Sequence, residues 1–214
     1  MKEKEIERLN LLKEEENKLY EKGIEYICGI DEAGRGPLAG PVVVGAVIMP
    51  KDSFIEGVND SKKISEKKRE KIYDQILDEA IAYSIGVIDR DTIDEINILN
   101  ATKLGVKKAV STLKQRPEVI MVDALTGIDT DGIPYISVVK GDAKNYSIAA
   151  ASIIAKVTRD RMMKEWDEVY PDYGFAKHKG YGTAEHIRII KEKGPCLIHR
   201  KSFIKNFVNV DKLD

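Results

Sequence analysis

The stretch Tyr26-Ile27-Cys28-Gly29-Ile30-Asp31-Glu32-Ala33-Gly34-Arg35-Gly36-Pro37-Leu38-Ala39-Gly40-Pro41 runs an apolar segment into two adjacent acids and then into a glycine-rich turn. Side chains alternate along a strand, so Ile30 and Glu32 share one face and Asp31 takes the other. Two neighbouring carboxylates at a strand end repel each other unless something positive binds there, and a divalent metal held by oxygen ligands is the obvious candidate. The plainer reading is a solvated acidic loop before a turn. Gly34 and Gly36 suit a turn that a ligand approaches at the level of bare backbone.

Further along the chain, acids recur at similar places. Val119 to Val122 reads as a short apolar strand that delivers Asp123, and Tyr135 to Val139 as another that delivers Lys140-Gly141-Asp142. Taken singly, Asp123 could be a turn residue and Asp142 a helix cap. Ligands gather at the carboxyl ends of strands in open α/β sheets, so convergence of all four acids would make a metal cluster. A carboxylate set without His or Cys is a hard, all-oxygen site that suits Mg²⁺ or Mn²⁺ rather than Zn²⁺. Two such ions about 3.5–4 Å apart would support in-line phosphoryl displacement.

The remaining pattern supplies the frame. Met1 to Lys22 predicts an amphipathic helix with Ile6, Leu9, Leu12 and Leu19 as its apolar positions. Ile24 to Ile30, Val42 to Met49 and Ile81 to Ile88 predict three more strands, the second buried on both faces. Ser65 is placed to cap a helix with Ile72, Ile76 and Ala80 on one stripe. Asp91 to Leu113 predicts a helix broken around Asn97 to Asn100, and Ser147 to Val169 a long alanine-rich helix ended by Pro171. Thr183 is placed to cap a late helix. Strands first, then strand–helix alternation, predict a mixed α/β sheet with helices on its faces.

Composition bounds the rest. With 214 residues the chain can bury a sizeable core, and 43% hydrophobic with 33% charged residues describes a globular protein. No apolar run is long enough to span a membrane, and the first residues lack the apolar stretch of a signal peptide, so a cytoplasmic location is expected. Cys28 and Cys196 make neither a disulfide framework nor a metal-binding spacing and read as packing residues. A net charge of -1 still allows the 35 basic residues to cluster against a polyanion. The tail Val210-Asp211-Lys212-Leu213-Asp214 is too polar for a sliding-clamp peptide.

The motifs together resemble bacterial ribonuclease HII, the type 2 ribonuclease H, from about Ile24 to Phe203. The resemblance is carried by Asp31 to Gly36 with Leu38 to Pro41, by Asn59-Asp60-Ser61-Lys62-Lys63, and by Val122-Asp123 and Lys140-Gly141-Asp142. It is carried also by Ala149 to Asp160, His178 to Thr183 and Ile198 to Phe203. Type 3 relatives carry an extra domain before the catalytic one, and the short segment before the first strand favours type 2.

The resemblance implies a ribonuclease H-like mixed α/β sheet flanked by helices, with a helical C-terminal extension. Residues 1–23 would be an N-terminal helical extension and 24–214 the catalytic domain. It implies a monomeric endonuclease using two divalent ions, Mn²⁺ or Mg²⁺. That enzyme would cut the RNA strand of RNA–DNA hybrids and incise 5′ to single ribonucleotides in duplex DNA. Asp31, Glu32, Asp123 and Asp142 would be its catalytic and metal-binding acids.

The same resemblance places Gly34, Arg35 and Gly36 at the 2′-OH, Tyr181 against the following sugar and Lys62 on backbone phosphate. Lys177, His178 and Lys179 are further candidates for phosphate, with His178 read as part of that surface or as a packed loop residue rather than a metal ligand, and Ser152 and Asp160 are candidates for support of the long helix. Without the family, the turn is an ordinary tight turn, Tyr181 a packed tyrosine and Lys62 a solvated lysine. Two rivals remain: a hybrid-binding module without turnover, which gains nothing from acids that repel phosphate, and a nucleotide-binding oxidoreductase. The latter lacks Gly-x-Gly-x-x-Gly between strand and helix.

Overall fold

The structure is a computed structural model that describes residues 2–208. The tail segment Val210–Asp214 lies outside the described residues. The sheet is built from β1 (Ile27–Ala33), β2 (Val42–Ile48), β3 (Ala82–Ile88), β4 (Val119–Asp123) and β5 (Tyr135–Val138), in the order β3-β2-β1-β4-β5. β1, β2 and β3 pair antiparallel, while β4 and β5 join β1 in parallel. β1 extends further than the predicted strand, because Asp31, Glu32 and Ala33 stay paired with Gly45, Val44 and Val43. The two acids therefore ride on the strand itself, with fixed alternation.

The sheet has two covered faces. Cys28 and Ile30 of β1 pack with Val44, Ala46, Val106 and Val110 toward the helix α4 (Arg90–Thr112). Ile27 and Met121 pack with Ile148 of the central helix α6 (Tyr146–Val169). α6 lies almost on the backbone of β1 and β2: a Cβ on Gly29 would come within 2.1 Å of the Ser147 carbonyl carbon, and one on Gly45 within 2.5 Å of the Ala151 oxygen. Ala149, Ala150 and Ala151 present little bulk from the helix side, so small residues on both partners permit this approach.

The N-terminal segment forms two helices, α1 (Glu3–Leu12) and α2 (Glu14–Tyr20), broken at Lys13. Lys13 is buried and its Nζ donates to the carbonyls of Lys51 and Ser53. Glu16 is buried as well and accepts from the Ser147 N–H at the start of α6. Two charged residues thus dock a segment whose charge-dense face predicts solvent. Between β2 and β3, Ser65 occupies the first-cap position of α3 (Glu66–Glu79), but its side chain makes no capping hydrogen bond. α4 is interrupted at Asn97, whose φ of 65° and side-chain bonds to the Leu99 and Asn100 N–H groups reset the helix there. After α5 (Gly141–Lys144) and α6, the chain ends in α7 (Phe175–His178), α8 (Ala184–Lys193) and α9 (Lys201–Ile204). Thr183 does cap α8, accepting from His186. Among the described residues no helix is long and apolar enough to cross a membrane.

Candidate active site

Asp31 ends β1 on the face turned to α6, and Asp123 ends the neighbouring strand β4 on that same face. Asp142 arrives from α5, one turn before α6 begins. One carboxylate oxygen from each of Asp31, Asp123 and Asp142 lies within 4.8 Å of the others. Glu32, next along β1, points to the opposite face by strand alternation and stands outside this trio. Its carboxylate lies 3.4 Å from an Arg35 nitrogen.

The cluster is strongly repulsive. Burial lifts the Asp31 carboxyl well above the usual range, and the charges of Glu32 and Asp123 lift it further. Burial also raises Glu32, against the pull of Arg35, and raises Asp123, with Asp142 adding repulsion. The protein offers modest relief. The Glu32 N–H donates to Asp31 at 2.8 Å, and the Gly141 N–H donates to Asp123 at 2.7 Å. Lys62 Nζ lies 3.6 Å from Asp142 on a largely exposed side chain, a contact of small energetic weight. Burial lowers the affinity of Lys62 for its proton, but Asp142, Asp31 and Asp60 outweigh it and the net shift is upward. An all-oxygen pocket of converging, mutually repelling carboxylates fits a hard divalent cation.

Lys62 is held near the cluster by its own loop. Asp60 accepts from the Lys62 N–H, and the Ser61 hydroxyl is tied to Ser152 on α6 at 2.8 Å. Ser152 on α6 thus ties the loop that carries Lys62 to the central helix. Asp160 pairs with Arg69 and Lys156, which locks α3 to α6.

The turn after β1 is clamped from below by two buried arginines. Arg159 donates to the carbonyls of Pro41, Ala39 and Lys179, and Arg200 to those of Gly40, Arg35 and Gly34. Gly34 has φ of 99°, and a Cβ there would sit 2.1 Å from Arg159 Nε, so glycine is required on both counts. Tyr181 is partly exposed, its ring near Arg159 and its Cε1 3.8 Å from where a Gly36 Cβ would stand. Tyr181 is held from behind by imidazoles. The Cys196 N–H donates to His199 Nδ1, which leaves the His199 Nε2–H to donate to His186 Nε2. His186 Nδ1–H then donates to the Tyr181 carbonyl.

His178 and Lys179 are not on the contact surface. His178 is buried between the Tyr173 carbonyl and the Gly180 N–H, and the Lys179 ammonium turns back to the Ala176 carbonyl. Lys177 is exposed, paired with Glu185. Neither cysteine has a thiolate environment: burial pushes Cys28 up to about 12 and Cys196 to about 11. The arginine clamp is the part that sequence reasoning missed. Arg159 and Arg200 lie inside the quoted motifs, but hydrogen bonds to main-chain carbonyls leave no partner residue to read.

A mixed five-stranded sheet with acids ending its first and fourth strands places the molecule in the ribonuclease H-like class of folds. The match to the model of the family described as Ribonuclease HII spans residues 28–206. Similar relatives named Ribonuclease HII include that of Acetivibrio thermocellus, 59% identical over 96% of this chain and 80% of the relative. That of Caldicellulosiruptor saccharolyticus is 55% identical over 93% and 96% of the two chains. Among solved structures, ribonuclease H2 from Pyrococcus horikoshii superposes with a TM-score of 0.69 at 28% identity, covering 83% of this chain and 93% of that one. The ribonuclease HII from Archaeoglobus fulgidus, solved in a complex with PCNA, gives 0.71 at 28% identity, covering 82% and 93%. The chain belongs to the ribonuclease HII family. It is a ribonuclease H, an enzyme class that acts on RNA–DNA hybrids.

Proposed function

We propose that this ribonuclease H is a divalent-metal-dependent endonuclease that also incises 5′ to a single ribonucleotide in duplex DNA, leaving 3′-hydroxyl and 5′-phosphate ends. The observation that carries the reading is the convergence of Asp31, Asp123 and Asp142 within 4.8 Å, where two backbone N–H groups and the exposed Lys62 only partly offset their charge. These three, with Glu32 at the rim, would hold two ions, Mg²⁺ or Mn²⁺. Bound there, such ions would activate water and offset charge on the departing 3′ oxygen.

The chain's own residues do the rest. Lys62 can release Asp142 to meet backbone phosphate, because its side chain is already mostly in solvent. The Gly34-Arg35-Gly36 turn offers bare backbone to a 2′-OH, the group that separates RNA from DNA. Tyr181 lies beside that turn, placed to test the next sugar.

The test is a labelled duplex carrying one ribonucleotide, with both new ends mapped. A 3′-hydroxyl and a 5′-phosphate on the 5′ side of the ribonucleotide are expected, and a 2′,3′-cyclic phosphate would refute the mechanism. Tyr181→Ala is expected to slow junction cleavage at least ten-fold more than cleavage of a continuous hybrid. Equal loss on both substrates would remove its sugar-testing role.

A further inference from the structure

Arg200 is fully buried, and all its hydrogen bonds go to main-chain carbonyls: Gly34 at 2.6 Å, Gly40 at 2.9 Å and Arg35 at 3.1 Å. The described peptide bonds are all trans. In a planar trans peptide the C=O and N–H point in opposite directions. Drawing the Gly34 carbonyl inward therefore aims the Arg35 N–H outward. Drawing the Arg35 carbonyl inward aims the Gly36 N–H outward in the same way. Among the described residues nothing accepts a hydrogen bond from either N–H, so two adjacent donors stand unspent on the open side of the turn. Gly36 keeps that side clear, since the nearest atom to its Cβ position is Tyr181 Cε1 at 3.8 Å.

We infer that Arg200 is a positioning residue for ribonucleotide recognition: its guanidinium orients and polarises the Gly34–Gly36 peptides so that two N–H donors face the substrate's 2′-oxygen. The inference rests on the reading of this turn as the 2′-OH contact. A planar fork of donors spans three carbonyls at once, which a lysine ammonium on a flexible stem does not reproduce. A buried positive charge behind the carbonyls also strengthens the outward N–H groups as donors. Arg159 sits beside it and ties the same turn, through the Lys179 carbonyl, to the loop that carries Tyr181.

Binding is measured by fluorescence anisotropy in an Asp123→Asn background, which holds substrate without turnover. Two duplexes of one sequence are compared, one all-DNA and one with a single ribonucleotide. Adding Arg200→Lys is expected to reduce the preference for the ribonucleotide duplex about ten-fold, with all-DNA affinity unchanged, because phosphate contacts are untouched. An unchanged preference, or a parallel loss on both duplexes as from general loosening, overturns the inference. No preference even before Arg200 is altered refutes the reading of the turn itself. Should the lysine variant not fold, amide exchange in the Asp123→Asn protein decides. The Arg35 and Gly36 amides are expected to exchange fast alone and to be slowed by the ribonucleotide duplex but not by DNA. Slow exchange in the free protein overturns the proposed orientation.

Discussion

Asp31 and Arg200 flank one turn, both are buried, and each has a like-charged neighbour, yet the two regions are finished to different degrees. Each buried guanidinium uses all three of its nitrogens to donate to carbonyls, so the fold itself supplies the arginine pair with partners. Burial, and mutual repulsion in the case of Arg200, lower their proton affinity to about 10 for Arg159 and about 9 for Arg200, and both stay charged at neutral pH. The carboxylates are not completed in this way. Their partners are two backbone N–H groups and the exposed side chains of Lys62 and Arg35, and burial plus repulsion raises Asp31, Glu32 and Asp123. A buried charge satisfied by backbone is a scaffold, while one left repelling its neighbours is a receptor for a cation.

The sharpest way to break this contrast is to neutralise one acid. Asp31→Asn and Asp123→Asn keep shape and lose charge, and each is expected to lower turnover about a thousand-fold, on the order of 4 kcal/mol of transition-state stabilisation. Steady-state cleavage of a hybrid checks this, and near-normal turnover in either variant would remove that acid from the site. The arginine side predicts a loss of another kind. Arg159→Met strands three carbonyls and is expected to cost about 3 kcal/mol or more in urea unfolding, at roughly 1–3 kcal/mol per unpaired buried group. A cost under 1 kcal/mol would show that the clamp is dispensable.

The imidazole chain behind Tyr181 adds a pH signature. Burial holds His186 down at about 4 and His199 at about 3, from 6.5. The unfolded chain therefore takes up protons first as pH falls. The stability these residues contribute is fully present above pH 6.5 and is lost as pH drops toward 4 and 3. Urea midpoints from pH 7 to 4.5 should decline more steeply in the wild type than in His199→Gln, and equal slopes would contradict the neutral pair. The smallest expected effect has the opposite sign from ordinary core damage. Asp31→Asn relieves repulsion and should raise the melting temperature of the metal-free protein, by about 2–4 °C per kcal/mol relieved. A lowered melting temperature would mean that the Asp31 carboxylate is already satisfied.

The contrast also explains what could be read from the chain. Strands that carry acids at their ends announce themselves by apolar runs, so β1, β4 and β5 were legible, whereas the meeting of Asp31, Asp123 and Asp142 without Glu32 is a fact of the fold that residue order alone does not carry. The break in α4 was legible too, where the Asn97 side chain caps the restarted helix by accepting from the Leu99 and Asn100 N–H groups. The burial of Lys13 and Glu16 could not be read from the chain, because a charged helix residue is usually exposed; here backbone carbonyls and the first turn of α6 take them in. Lys179, a candidate for phosphate, is instead turned inward by its backbone at φ 52° and its contact with the Ala176 carbonyl. Arg159 and Arg200 were invisible because carbonyl partners leave no trace in residue identity. The sequence also puts Asp160 next to Arg159, but Arg159 binds carbonyls while Asp160 pairs with Arg69 and Lys156.

On the proposed reading a divalent metal supplies the positive charge that the Asp31, Asp123 and Asp142 cluster lacks. The most direct measurement is single-turnover cleavage of a one-ribonucleotide duplex in Mg²⁺, in excess EDTA, and after Mg²⁺ is restored. Cleavage is predicted to vanish in EDTA and to return in full with the metal; undiminished cleavage in EDTA would contradict the account.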